Sequence, residues 1–168
     1  MAYEIRPMQG QEVHLLRDFL YEAIFQRDES NLLPPSVIDD EPALGVYIDD
    51  FGGPDDLCLV AVAGDKIVGA VWTRILAGKV RGFGNIDCRT PEFAISLYRQ
   101  YRGLGLGTKL MEEMLLLLRE KGYQKTSLAV QKDNYAVKMY QKVGFSTVSE
   151  NEQEYIMVAD LRGQNCAE

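Results

Sequence analysis

Arg102-Gly103-Leu104-Gly105-Leu106-Gly107-Thr108 decides how this chain is read. It follows the apolar run Phe93-Ala94-Ile95-Ser96-Leu97-Tyr98. It opens a stretch in which Gly107, Leu110, Met111, Met114, Leu115 and Leu118 recur at three-and-four spacing, with Lys109, Glu112, Glu113, Arg119 and Glu120 pointing elsewhere. The pattern is a strand, a glycine turn and an amphipathic helix that stops at Gly122. Glycines in such a turn bare a row of backbone N–H groups at the positive end of a helix, which is a site for phosphate.

The flanking residues select the kind of phosphate loop. A P-loop carries Lys and then Ser/Thr directly after its last glycine, but here Thr108 precedes Lys109. A dinucleotide fingerprint, G-x-G-x-x-G, has one more residue before its third glycine and a longer βαβ remainder, which disfavours a dinucleotide-dependent oxidoreductase. Arg102, Gly105 and Gly107 instead satisfy Q/R-x-x-G-x-G/A. Downstream, the stretch from Asn134 through Ala136 and Tyr140 to Gly144-Phe145 reads N-x-A-x-x-x-Y-x-x-x-G-F. With both motifs present, the chain resembles the GNAT acyltransferase superfamily.

Composition sets limits. The chain has 168 residues, enough for one domain that buries roughly two-thirds of its unfolded surface. We expect a single domain over 1–161 and a tail over 162–168. A net charge of -7 disfavours broad nucleic-acid binding and mildly favours a cationic acceptor such as an amine. No apolar run approaches a membrane span, and the N-terminus lacks a secretory layout, so a cytoplasmic address with no membrane partner is expected. Cys58, Cys88 and Cys166 are odd in number and lack metal-ligand spacing. Neither a disulfide framework nor a metal site is expected, and Cys58 lies in an apolar strand and should be core.

Along the chain, periodicity predicts a strand from Tyr3 to Met8, a helix from Glu12 to Phe25, and a loop from Asn31 to Asp40. A short helix follows from Pro42 to Asp50. Leu57–Ala63 and Ile67–Leu76 flank Gly64-Asp65-Lys66 as a hairpin. Gly78–Pro91 reads as a loop, Glu92–Tyr98 and Lys125–Gln131 as strands, and Asn134 as the N-cap of a helix that Gly144 ends. Phe145–Ser149 and Glu154–Ala159 make a terminal hairpin whose exposed edge leaves a homodimer open. The fold class is mixed α/β, with helices on both faces of a mostly antiparallel sheet of six to seven strands. The resemblance implies that strands 4 and 5 are parallel and splay apart for a pantetheine arm.

The same resemblance implies acetyl-CoA as co-substrate, without a metal, and N-acetylation of a primary amine of a small molecule or peptide by direct attack. A non-catalytic acyl-CoA-binding module is the alternative. Leu97 would offer its N–H to the thioester oxygen, with Ser96 and Tyr98 beside it on the pantetheine path. The N–H groups of Gly103, Leu104, Gly105, Leu106, Gly107 and Thr108 would hold the pyrophosphate, with Arg102 near its charge. Asn134, Ala136 and Met139 would also border the cofactor. Tyr140 would protonate the leaving thiolate, since a phenol titrating near ~10 matches a thiol of comparable basicity; its other reading is a core aromatic. Glu92 is the candidate general base and Asp87 its alternative. His14 is expected to be exposed, and Tyr21, Glu22, Tyr47 and Asp50 to shape the acceptor pocket.

Overall fold

The computed structural model describes residues 2–162. The expected tail therefore lies outside the described residues except for Arg162, which bonds Asp160, and Cys166 lies outside them as well. Seven strands form one sheet in the order β1-β2-β3-β4-β5-β7-β6. They are β1 (Tyr3–Pro7), β2 (Leu57–Ala63), β3 (Lys66–Arg74), β4 (Glu92–Leu97), β5 (Lys125–Gln131), β6 (Phe145–Glu150) and β7 (Glu154–Asp160). The helices are α1 (Leu16–Ala23), α2 (Val37–Asp40), α3 (Pro42–Gly45), α4 (Leu106–Glu120) and α5 (Ala136–Lys142).

Alternation along the strands sorts the apolar residues into two cores. On one face Leu59, Val71, Phe93, Leu97, Leu128 and Met157 pack under α4, whose Leu106, Leu110, Met111, Met114, Leu115 and Leu118 are buried. On the other, Val60, Val62, Ala70 and Trp72 meet Leu16, Phe19 and Leu20 of α1 and Ile38 of α2. Each buried Leu or Met contributes roughly 1.5–3 kcal/mol, so α4 is held mainly by this stripe. Cys58 is buried in the second core, as its apolar strand suggested.

Three local expectations need correction. The first helix begins as a 3₁₀ segment over Gly10–Leu15 and is α-helical only from Leu16, because the chain enters through a capping box made by Gln9 and Glu12. Part of the expected loop, Val37–Asp40, is the helical turn α2, which exists because Ile38 has a core to enter. The short helix predicted over Pro42–Asp50 stops at Gly45 and gives way to turns.

The functional consequence of the topology lies between β4 and β5. All other neighbours are antiparallel, while β4 and β5 are parallel and share one register pair, Glu92 with Ser127. Beyond that bridge the two strands separate. On the α1 face the opening is crossed by the loop after β3. There Gly84 lies so close to β5 that an added Cβ would stand 2.6 Å from the Leu128 carbonyl carbon, so only glycine fits.

Candidate active site

The glycine turn is built as the sequence indicates. Gly103 and Gly105 take φ of 75° and 82°, and Gly105 is the N-cap of α4. The first helical bond runs from Lys109 N–H to Gly105 O at 3.2 Å, so the N–H groups of Leu106, Gly107 and Thr108 have no helical partner. No side chain caps this end and no acid sits in its first turn. An uncapped, positive helix end with no acid in its own first turn suits a pyrophosphate. Open space surrounds Gly105, so an added Cβ would meet no protein atom but would obstruct a phosphate brought up to these N–H groups. Gly105→Ala is therefore expected to weaken acetyl-CoA binding at least tenfold by calorimetry. The left-handed φ adds a stability loss of about 1–2 kcal/mol.

The turn opens onto a cavity of about 850 Å³ bounded by the C-terminal half of β4, the end of α1 with the segment after it, and α5. Ser96, Leu97, Tyr98, Arg102, Gly103, Gly105, Gly107 and Thr108 border it on one side, and Asn134, Ala136, Met139 and Tyr140 on the other. Leu104 and Leu106 do not line it. Leu104 is exposed and Leu106 is buried in the core, so each brings only its backbone to the turn. Met139 packs against Gly107, its sulfur 3.4 Å from where a Cβ would be, which joins the first turn of α4 to α5.

Backbone direction at Leu97 follows from the register. Tyr98 N–H bonds Val68 O across β3 at 3.0 Å, and Ser96 and Ala94 face β3 by the same alternation. The N–H and C=O of Leu97 and Ile95 therefore face the gap. The Leu97 carbonyl confirms this direction by accepting Arg102 Nε at 2.9 Å. The rest of the Arg102 guanidinium pairs with Glu22 at 3.1 Å, so its charge ties β4 to α1 and is partly neutralised rather than free for a phosphate. Ser96 and Tyr98 also have structural duties: Ser96 Oγ donates to Phe19 O at 2.6 Å, and the Tyr98 ring packs on Phe19.

Tyr140 is half-buried at the inner end of the cavity, edge-on to Phe145 with centroids 6.0 Å apart. Burial pushes its phenol up to about 12. The expectation that Asn134 is the N-cap of α5 needs correction: Tyr135 holds that position, and Asn134, one residue earlier, closes a turn by accepting the Ala136 N–H at 2.9 Å while still bordering the cavity.

Glu92 does not line the cavity. It is buried at the vertex of the gap, 3% exposed, beneath Gly82 and Gly84. Its Oε2 accepts a hydrogen bond from the Tyr47 hydroxyl, which in turn accepts the Phe83 N–H at 2.9 Å. Burial raises the Glu92 carboxyl to about 7, with the Tyr47 hydroxyl and the Gly84 N–H opposing and the charge of Glu154 reinforcing the rise. Burial and the neighbouring carboxylate likewise raise the Tyr47 phenol. Asp87, the alternative base, instead faces Lys125 at 3.5 Å and does not border this cavity, and His14 is exposed. Of the expected acceptor residues, Tyr21 and Glu22 reach the cavity, Tyr47 joins Glu92, and Asp50 is exposed.

Sequence reasoning missed the segment after α1. Gln26, Glu29 and Leu32 wall the cavity, and Arg27 reaches across to Asp133 at 2.5 Å and to Gln131 at 3.0 Å. No local pattern announces this contact between residues a hundred positions apart. Lys138 and Lys142, an i, i+4 pair on α5 that no motif singles out, also line the cavity.

Comparison with known proteins agrees with this geometry. The model of the Acetyltransferase (GNAT) family matches residues 20–145, and the chain belongs to that family. It is 35% identical over 86 residues to the mycothiol acetyltransferase of Corynebacterium aurimucosum, a match covering 51% of this chain and 26% of that protein. It is 35% identical over 63 residues to the ribosomal protein bS18-alanine N-acetyltransferase of Haemophilus influenzae, covering 38% and 43%. The chain thus spans less than half the length of each of these curated relatives. The fold matches that of the PaiA N-acetyltransferase of Thermoplasma acidophilum in complex with coenzyme A. The TM-score is 0.67 at 20% identity, with 95% of this chain and 99% of that one covered. Among the described residues no helix is long and apolar enough to cross a membrane.

Proposed function

We propose that the protein is an acetyl-CoA-dependent N-acetyltransferase acting on a primary amine of a small molecule or peptide by direct attack. The observation that carries this reading is the uncapped N-terminus of α4, with its free N–H groups, opening into the same cavity that the Leu97 backbone and Tyr140 border. Phosphates at one end and a thioester at the other fit a pantetheine arm laid along the β4–β5 gap.

In this scheme Glu92, ionised above its midpoint, takes one proton from the acceptor ammonium through intervening water. The neutral nitrogen then attacks the thioester carbon, and the Leu97 N–H stabilises the oxygen as charge develops on it. As the C–S bond breaks, sulfur leaves with the bonding pair and takes the Tyr140 proton. The second nitrogen proton, released to water as the amide forms, balances the one Tyr140 has given up. An acidic protein of net charge -7 is suited to attracting such a cation.

The test is incubation of the full chain with labelled acetyl-CoA and a pool of metabolites and peptides, with products read by mass spectrometry against a no-enzyme control. A labelled amide is the expected result and names the acceptor class. Confirmed acetyl-CoA binding with no amide from a pool of primary amines would leave an acyl-CoA-binding module in its place.

A further inference from the structure

Buried polar atoms in folded proteins have partners in more than nine cases of ten, so two neighbouring exceptions call for a physical account. Glu92 Oε1 and Ser127 Oγ are both buried and form no hydrogen bond. They belong to the single register pair that joins β4 to β5. Bridged residues on adjacent strands project from the same face of a sheet, with backbones about 4.8 Å apart, so the two side chains are neighbours at the vertex of the gap. Thr73 Oγ1, also unpartnered, registers with Phe93 and belongs to the opposite face.

We propose that Glu92 Oε1 and Ser127 Oγ together hold one water molecule, which makes Ser127 a positioning residue for Glu92 and this water the last carrier of the acceptor's proton. Two such oxygens side by side suit the ligand, because a buried water needs two or more polar partners. Here a carboxylate oxygen offers an acceptor and a hydroxyl offers both a donor and an acceptor. The other oxygen of Glu92 is already committed to Tyr47, so Oε1 is the one left to receive a proton. The groups that act on the carboxyl are Tyr47 beyond α3, the Gly84 N–H of the loop after β3 and Glu154 on β7, with Arg74 its register partner on β3. Arg74 is taken up by Asp56 at 3.0 Å and by the Val46 and Asp49 carbonyls. The role of the water in catalysis rests on the reading of Glu92 as the base.

Ser127→Ala tests this in the full chain, with the Glu92 carboxyl carbon followed by ¹³C NMR through a pH titration and assigned with Glu92→Gln. A water donating to Oε1 favours the charged carboxylate, so its loss moves the Glu92 midpoint upward, by about half a pH unit or more. The midpoint of the rate profile moves with it while acetyl-CoA affinity stays put. An unmoved Glu92 midpoint overturns the proposal, as does a high-resolution crystal structure with no water between the two oxygens. If the Glu92 midpoint rises but the rate profile does not follow, the water site stands and the reading of Glu92 as the base falls. Tyr47→Phe, which removes the hydrogen bond to the other oxygen, gives the reference size for such a shift.

Discussion

Replacing Tyr140 by Phe is expected to lower turnover at least tenfold while leaving acetyl-CoA affinity and melting temperature nearly unchanged. Burial and the neighbouring Tyr135, with no hydrogen-bond partner among the described residues, act on the Tyr140 phenol, so no internal partner is orphaned by removal of its hydroxyl. The ring contacts with Phe145 stay in place. Under the proposed mechanism, what disappears is the proton offered to sulfur, a contribution of the 10²–10⁴ kind for positioned acids. Because burial holds the phenol at about 12, it remains protonated across the working range. The wild-type rate should therefore show no alkaline loss below pH ~11 from this group. Steady-state kinetics beside calorimetric acetyl-CoA titration is the measurement, and an unchanged turnover number removes Tyr140 from the chemistry.

Glu92→Gln is expected to cut turnover about a hundredfold and, at alkaline pH, to make the protein more stable. A base must be ionised to work, so the wild-type rate climbs through about pH 7, the raised Glu92 midpoint, and Gln abolishes that limb. Stability runs the other way. The folded carboxyl binds its proton more tightly than the unfolded one, whose ordinary value is 4.5, so the folded state loses ground as pH rises from there to about 7. Gln escapes that loss. Its advantage is absent at pH 4, grows between the two midpoints and is complete above the upper one, on the order of 3 kcal/mol at most. Melting curves at pH 5 and pH 8 measure it, and equal stability of the two forms at pH 8 would show that Glu92 is not a strained buried acid.

These two residues also show how far the sequence could be read. Tyr140, Asn134 and the Gly103–Thr108 turn were legible because motif, helix period and phosphate chemistry act over a few residues. Their places in the structure follow, except that Tyr135 rather than Asn134 is the N-cap of α5. The environment of Glu92 was not legible, since it is made by Tyr47 and by glycines 82 and 84 arriving from two separate loops. Arg102 illustrates the same limit. Its position beside the turn was visible, but its pairing with Glu22 depends on how α1 lies over β4, which no local pattern encodes. Helix starts were misplaced for a related reason: capping and tertiary burial, not periodicity, decide where Gly10–Leu15 ends and α1 begins.

The single bridge between β4 and β5 gives the sheet the mechanics of a hinged book. One leaf is β1 to β4 and the other β5, β7 and β6, each stitched by its own antiparallel ladders, with Glu92 and Ser127 as the hinge pin. With so little backbone pairing across the gap, side chains packed between the leaves help to set their angle, such as Phe93 of one leaf against Phe145 of the other, 5.6 Å between ring centres. The aperture is thus a property of core volume. Over evolutionary time, a methylene gained or lost beneath α4 can widen or narrow the slot and change which acyl group fits, with every reacting atom left where it was.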